Sequence, residues 1–173
     1  MSEFFQRRRV YRWLREIVVL LVLAAVLMWG VDRFRSPTLP DSFSGMAVQT
    51  LDGQNIDLAA LSDTRPLLIY VWATWCSVCR YTTPSVEKLA AQGENVVSIA
   101  LRSGDDTRLA QWMQKKQLTM PVVNDARGEL AQRWQVSVTP TIIIVSQGQP
   151  VSVTTGWTSY WGMKLRLWWA KTF

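Results

Sequence analysis

The chain has 173 residues, which is enough for one domain with a short appendage, since single domains commonly take about 100–200 residues. Its apolar share of 49% supplies a sizeable core and excludes an intrinsically disordered chain. The chain has no histidine and only two cysteines, so it cannot close a structural zinc site from Cys and His ligands of its own.

The net charge of +6 is concentrated at the N-terminus. Residues 1–16 carry five arginines against two glutamates, whereas residues 36–173 carry twelve basic and ten acidic side chains. The body of the chain is therefore close to neutral and offers no broad basic face, so we expect no nucleic-acid partner.

An uninterrupted apolar run of 15 residues, 17–31, follows the basic segment. The run is short beside the roughly 20 residues that cross a bilayer, but Trp13 extends it, and Arg15 and Arg33 can reach the two interfaces along their aliphatic stems. We interpret residues 17–34 as an uncleaved signal anchor, a single transmembrane helix of a bacterial inner membrane.

Three alternatives explain the apolar run less well. A cleaved signal peptide needs a small-x-small cleavage site, and none follows the run convincingly. The pair Arg8-Arg9 resembles a twin-arginine signal only faintly, and a buried core helix would not follow five arginines. Because the basic side of an anchor stays in the cytoplasm, residues 1–16 are predicted to be cytoplasmic, residues 35–41 a linker, and residues 42–173 periplasmic.

The body begins with a predicted hairpin over residues 46–58, because alternating segments flank Asp52-Gly53, a signal for a two-residue turn. Near-continuous apolar runs predict strands buried on both faces at residues 67–72 and 96–101. The other predicted elements are a helix from the cysteines to Gly93, a helix at 106–117, a short strand at 120–125, a short helix at 128–134, and strands at 141–145 and 151–155. This order predicts an α/β fold with a mixed central sheet flanked by helices.

Two predicted helices carry apolar stripes. In the helix at 106–117, Leu109, Trp112 and Met113 share a face, which is typical of a core-facing stripe. The terminal helix, opened by Ser159, is predicted to turn its tryptophans toward the core, although the same face could touch a membrane. The side chains concerned are Trp161, Leu165, Trp168 and Trp169.

The two cysteines stand in the sequence Cys76-Ser77-Val78-Cys79, directly after a predicted strand and at the start of a predicted helix. There Cys76 faces unpaired backbone N–H groups and the positive end of the helix dipole, which both favour a thiolate. Cys79 lies one turn later, close enough to bridge and farther from solvent. We therefore expect a redox-active Cys76–Cys79 disulfide, with Cys76 attacking, Cys79 resolving and no other cofactor.

A purely structural disulfide is the main alternative. Closing a four-residue loop stabilises a fold by roughly 2 kcal/mol, against about 4.7 kcal/mol for a loop of ~100 residues, so a stabilising bridge would be placed elsewhere. Two thiols packed as small apolar groups fit poorly with a helix start in an oxidising compartment. The position favours redox chemistry over both alternatives.

The segment VWATWCSVCRYTTP, residues 71–84, resembles the active-site segment of the thioredoxin superfamily, and VSVTPTIIIV, residues 136–145, resembles its cis-proline loop and strand. The leading hairpin resembles the membrane-anchored periplasmic branch of TlpA-like proteins. At a finer level the chain resembles the thioredoxin-like members of bacterial suppressor-of-copper-sensitivity systems. The resemblance covers about residues 42–170. It implies a thioredoxin-like fold, thiol–disulfide oxidoreductase activity on protein substrates, and a link to copper tolerance.

The resemblance also implies roles for single residues. Trp75, Thr139 and Pro140 would contact the substrate, and Pro84 would kink the helix that carries Cys79. A cis bond before Pro140 would expose the Thr139 backbone for pairing with an extended substrate. Without the resemblance, an ordinary trans proline at the start of a strand is the simpler expectation.

Two positions depart from the family pattern. The superfamily often has a buried Asp, or in this branch an Asn, six residues before the attacking cysteine, and this chain has Tyr70. The anchored branch commonly has a Glu three residues after the second cysteine, and this chain has Thr82. The usual acceptors for the Cys79 proton are thus missing, so water or the Tyr70 hydroxyl would have to replace them.

Three functions compete. The leading one is a membrane-tethered periplasmic thiol–disulfide oxidoreductase, which the resemblance implies to be a reductant recharged by a transmembrane thiol electron donor. A Cu(I) carrier is the alternative, because two thiolates suit a soft ion of low coordination number, although no clustered Met or His accompanies them. A scaffold that keeps the fold only to dock a partner is the third.

Overall fold

The structure, a computed structural model, describes residues 13–23, 26–27, 30 and 39–172. The chain divides into two compact units, residues 1–35 and residues 36–173. In the first unit every described residue is helical. Within the described residues, no helix combines the length and the apolarity needed to cross a membrane. The anchor predicted at 17–34 and the linker at 35–41 lie partly outside these residues, and both stay predictions.

The second unit is built on a mixed sheet of five strands in the order β5-β4-β3-β6-β7. These strands are β3 (Leu67–Trp72), β4 (Val96–Leu101), β5 (Val122–Asp125), β6 (Thr141–Ser146) and β7 (Gln149–Thr155). The central strand β3 pairs in parallel with β4 and antiparallel with β6. The predicted α/β fold with a mixed sheet is confirmed.

Five helices flank the sheet and cover both of its faces. They are α1 (Leu58–Asp63), α2 (Cys79–Ala91), α3 (Asp106–Lys115), α4 (Glu129–Arg133) and α5 (Tyr160–Thr172). Along β3 the side chains alternate, so that Tyr70 and Trp72 enter a core beneath α2, α3 and α5, whereas Ile69 and Val71 enter a second core beneath α1 and α4. Every residue of β3 is therefore buried, as its apolar run predicted.

The leading hairpin forms a separate small sheet of β1 (Ala47–Gln49) and β2 (Asn55–Asp57). Its loop has five residues, 50–54, so the predicted two-residue turn is wrong. Gly53 does provide the left-handed turn residue, but the Thr50 hydroxyl accepts the Gln54 N–H and closes a wider loop. The Leu51 N–H donates to the Val122 carbonyl at 2.7 Å, which places the loop against β5.

Helix α1 was not predicted from the sequence. It has six residues, too few to show a helical period, and it begins because the Asp57 carboxylate accepts the N–H groups of Ala59 and Ala60. Its Leu58 is fully buried in the second core.

Helix α5 begins where expected, with the Ser159 hydroxyl accepting the Gly162 N–H, but it faces the other way. Its buried residues are Met163, Leu167 and Ala170, whereas the four residues expected to face the core are exposed. These four are Trp161, Leu165, Trp168 and Trp169. Trp161, Leu165 and Trp168 have the same spacing of four and then three residues as the buried set, so periodicity alone cannot tell which stripe is internal.

Candidate active site

The cysteine pair lies where the central strand β3 passes into α2. Cys76 and Cys79 are joined by a disulfide, with 5.3 Å between their Cα atoms. Cys79 is the first residue of α2 and is 2% exposed, whereas Cys76 lies in the preceding turn and is partly exposed. The helix was predicted to open at Cys76, and its actual start is three residues later.

The start of α2 nevertheless points at the Cys76 sulfur. The Cys79 N–H donates to the Cys76 Sγ at 3.1 Å. This N–H belongs to the first turn of the helix, whose donors have no acceptor within the helix. In the reduced protein, the same donor and the helix dipole would favour a thiolate at Cys76 over one at the buried Cys79.

The proline loop lies directly beside this sulfur. The Thr139–Pro140 peptide bond is cis, and the Cys76 Sγ lies 3.6 Å from the Thr139 carbonyl oxygen. Pro140 is buried, and its carbonyl accepts the Gly156 N–H, which fixes the loop to the end of β7. Within residues 39–172 the Thr139 N–H has no hydrogen-bond acceptor, so it is open to an incoming strand.

Trp75 stands over the site although its side chain is 62% exposed. Its indole N–H donates to the Arg102 carbonyl at 3.1 Å, and the neighbouring Thr74 N–H donates to the Ser103 hydroxyl at 3.0 Å. Both acceptors follow the C-terminal end of β4. The turn before Cys76 is thus fastened to the next strand of the sheet, which holds an exposed indole in one position.

Tyr70 lies beneath the pair, but it does not have the character of a proton acceptor. The Thr83 hydroxyl donates to the Cys79 carbonyl at 2.8 Å, so the Tyr70 hydroxyl, 2.9 Å from the Thr83 Oγ1, must donate its own proton to that oxygen. Burial raises the pKa of Tyr70 above its usual range. Tyr70 therefore stays protonated, which counts against it as the replacement acceptor.

The site also includes residues that the sequence analysis assigned to the core or did not identify as part of the site. A cleft of about 470 Å³ opens beside Cys76 and is lined in part by Trp72, Trp112, Arg80 and Lys116. The Trp72 and Trp112 rings lie 5.0 Å apart, and none of the described residues that line the cleft is acidic. Arg80 could have been noticed next to Cys79, whereas Trp112 and Lys116 come from a distant helix. Pro84 lies inside α2 and lines the same cleft.

The same fold and motif occur in known proteins. The model of the AhpC/TSA family matches residues 39–153. The chain belongs to the AhpC/TSA family. A thioredoxin-like protein of Haemophilus influenzae is 40% identical to this AhpC/TSA member over 165 residues, which are 95% of this chain and 99% of that protein.

Two further comparisons place this AhpC/TSA member within the thioredoxin-like superfamily. The thiol:disulfide interchange protein DsbE of Yersinia pestis is 43% identical over 61 residues, which are 35% of this chain and 32% of that protein. A secreted disulfide oxidoreductase of Mycobacterium tuberculosis has the same fold, with a TM-score of 0.59 and 24% identity over 74% of this chain and 96% of that one. The chain is a thiol–disulfide oxidoreductase of the thioredoxin family, with Cys76 and Cys79 close together.

Proposed function

We propose that the chain is a membrane-tethered reductant of protein disulfides in the bacterial periplasm, with Cys76 as the nucleophile and Cys79 as the resolving thiol. One observation carries the roles of the two cysteines: the more exposed sulfur, that of Cys76, is the one that accepts an N–H from the start of α2. This sulfur also lies beside the open backbone of Thr139.

The reaction transfers two electrons from the cysteine pair to the substrate. The Cys76 thiolate attacks one sulfur of a substrate disulfide, which forms a mixed disulfide and releases the first substrate thiolate. Cys79 then loses its proton to solvent and attacks the Cys76 sulfur, which closes the Cys76–Cys79 disulfide and releases the second substrate thiolate. The two thiolates of the product take up protons from solvent, and an external dithiol donor must reduce the pair before the next turnover.

The Thr139–Pro140 loop supports an extended substrate. A strand laid along the loop can pair with the Thr139 N–H, and this pairing brings its cysteine to the Cys76 Sγ. Trp75 lines the cleft that opens beside Cys76. The two cations of the cleft, Arg80 and Lys116, favour substrates with acidic residues near the reactive cysteine.

Trapping of mixed disulfides tests the assignment of the two sulfurs. A Cys79→Ala variant should accumulate mixed disulfides with partner proteins. Its Cys76 can still attack a substrate disulfide, but no second thiol is left to release the bound partner. A Cys76→Ala variant should not, because the remaining sulfur is buried. Equal trapping by both variants, seen on non-reducing gels after acid quenching, would overturn the assignment.

The tether is supported by the apolar run at 17–31 behind five arginines. A reporter that is active only in the periplasm should work when fused after Phe173, and the mature protein should begin at Met1 or Ser2. A mature N-terminus within about residues 30–45 would show a cleaved signal peptide instead.

A role in copper tolerance comes from the finer resemblance alone. A Cu(I) carrier remains the competing proposal, since two thiolates can hold Cu(I). Cu(I) titration of the reduced chain, run beside an insulin-reduction assay, separates the two. Insulin reduction without tight copper binding supports the reductase, and the reverse result supports the carrier.

A further inference from the structure

The outer face of α5 is apolar, although it faces away from the core. Trp161 is 75% exposed, and Leu165 and Trp168 are 62% and 58% exposed. These three residues recur at intervals of four and three, so they form one stripe along the helix. Trp157, just before the helix, and Trp169, on the border of the stripe, are also more than half exposed.

The inner face of the same helix is already used. Met163 and Leu167 are buried in the core beneath the sheet, and the Tyr160 hydroxyl donates to Gln92 at the end of α2. The Ser146 hydroxyl of β6 donates to the Ala170 carbonyl. The exposed stripe is therefore not a misplaced core face, because the helix is held to the domain by its opposite side.

The charged side chains of α5 itself are all basic. The chain contains no Asp or Glu after Glu129, and α5 carries Lys164, Arg166 and Lys171. Helical geometry places Lys164 and Lys171 along one border of the stripe. Arg166 lies nearer the buried face, where its guanidinium donates to the Gly162 carbonyl at 3.0 Å. Glu94, which lies 3.4 Å from the Lys171 ammonium, belongs to the segment after α2 and pairs with one of the three cations.

We propose that this face of α5 lies flat on an anionic lipid bilayer. Indole rings favour the interface between hydrocarbon and headgroups, and bordering cations complement anionic headgroups, as in helices that lie in the plane of a membrane. The proposal rests on the proposed tether in one respect. A linker at residues 35–41 spans at most about 25 Å, so it would keep the domain next to the bilayer.

The experiment uses the full chain with a specific protease site inserted after Ser36. The chain is reconstituted into phosphatidylcholine vesicles with or without phosphatidylglycerol, cleaved, and floated on a density gradient. The released body should stay with the phosphatidylglycerol vesicles and leave the purely zwitterionic ones. Replacing Trp161, Leu165 and Trp168 together by Ser should lower the retained fraction about tenfold or more, since binding follows buried apolar area.

Matched control variants test whether binding depends on this face of α5 or on any exposed apolar or charged side chain. Val151→Ser removes an exposed apolar side chain from β7, and Arg133→Glu reverses an exposed charge on α4. Both should leave retention unchanged, whereas Lys164→Glu should lower it. Equal urea midpoints and insulin reduction across the variants would show that the fold is intact.

The outcomes distinguish this proposal from the tether. Extraction of the uncleaved chain by alkaline carbonate would overturn the anchor and leave the α5 surface standing. A wild-type body that leaves both kinds of vesicle, or that stays regardless of the substitutions, would overturn the surface. A released body that forms dimers through this face, or that binds only when a partner protein is present, would overturn it as well.

Discussion

Two adjacent threonines of α2 differ in how their hydroxyl groups are satisfied. Thr83 accepts from Tyr70 and donates to the Cys79 carbonyl, so its hydroxyl links β3 to the start of α2. The Thr82 Oγ1 is just as buried but has no hydrogen-bond partner within the described residues. A buried hydroxyl without a partner costs free energy, whereas a bonded one contributes to stability.

The same substitution, threonine to valine, is predicted to change stability in opposite directions at Thr82 and Thr83. Thr82→Val should raise the free energy of unfolding, and Thr83→Val should lower it, each by about 1 kcal/mol, because valine keeps the shape and removes only the hydroxyl. Urea unfolding of both variants in the oxidised state measures the difference. A loss of stability in Thr82→Val equal to that in Thr83→Val would mean that the Thr82 hydroxyl has a partner.

A second prediction concerns Tyr70 and its protonated hydroxyl. Tyr70→Phe should leave the rate of mixed-disulfide resolution within about twofold at neutral pH, since a catalytic base typically contributes a hundredfold or more. Stopped-flow kinetics with a single-turnover substrate measures this rate. A hundredfold loss would restore Tyr70 as the acceptor for the Cys79 proton.

The same substitution predicts a pH dependence of stability. The pKa of Tyr70 is higher in the folded chain than in the unfolded one, where it is about 10. Above that pH the unfolded chain loses the proton that the folded chain keeps, so the free energy of unfolding falls as pH rises. Urea midpoints between neutral pH and about pH 11 should fall more steeply for the wild type than for Tyr70→Phe, and parallel curves would contradict this.

At the scale of elements, α1 depends on a single capping residue. Asp57→Ala should destabilise the domain by about 1 kcal/mol, because two N–H groups lose their acceptor, whereas Asp57→Asn keeps a capping oxygen and should cost little. Thermal unfolding of both variants checks the difference. The reduction potential should not change in either, since α1 packs on the face of the sheet away from the cysteines.

The elements that were predicted well from the sequence share one property: their residue pattern is compatible with only one structure. The run at residues 67–72 and the paired cysteines after it fixed the central strand and the site. The pattern of α5 was ambiguous, because two of its faces carry apolar residues at the same spacing. Helix α1 was missed because it is too short to show a helical period. The cleft residue Trp112 could not be assigned to the site, since only the packing of α3 brings it beside Trp72.

At the scale of the whole molecule, a membrane tether would favour electron flow from the cysteine pair to the substrate, which is the direction of a reductant. A tethered domain meets a membrane-bound dithiol donor repeatedly at a high effective concentration, whereas it cannot search the whole periplasm. Neither residue between the cysteines, Ser77 or Val78, carries a charge or an imidazole that would stabilise the reduced pair strongly. This combination supports a pair that donates electrons.

The predicted reduction potential is therefore closer to about −270 mV, the value of a reducing thioredoxin, than to about −120 mV, the value of the most oxidising relatives. Equilibration of the purified chain with glutathione or dithiothreitol buffers measures it. In cells that possess the donor, alkylation with a thiol-reactive mass tag should find Cys76 and Cys79 mostly reduced. A fully oxidised pair with a potential near the upper value would identify an oxidase.

The contact between the leading hairpin and β5 has a consequence for solubility. An outer strand of a sheet has unpaired backbone groups that can pair with a strand of another chain. The isoleucine-rich β6 would be prone to aggregation if such pairing opened the sheet. The Leu51 N–H already occupies the Val122 carbonyl of β5, and on the opposite margin Pro150 of β7 has no N–H to offer. The hairpin loop thus covers part of the β5 edge, which leaves less of that edge open to pairing with a strand of another chain.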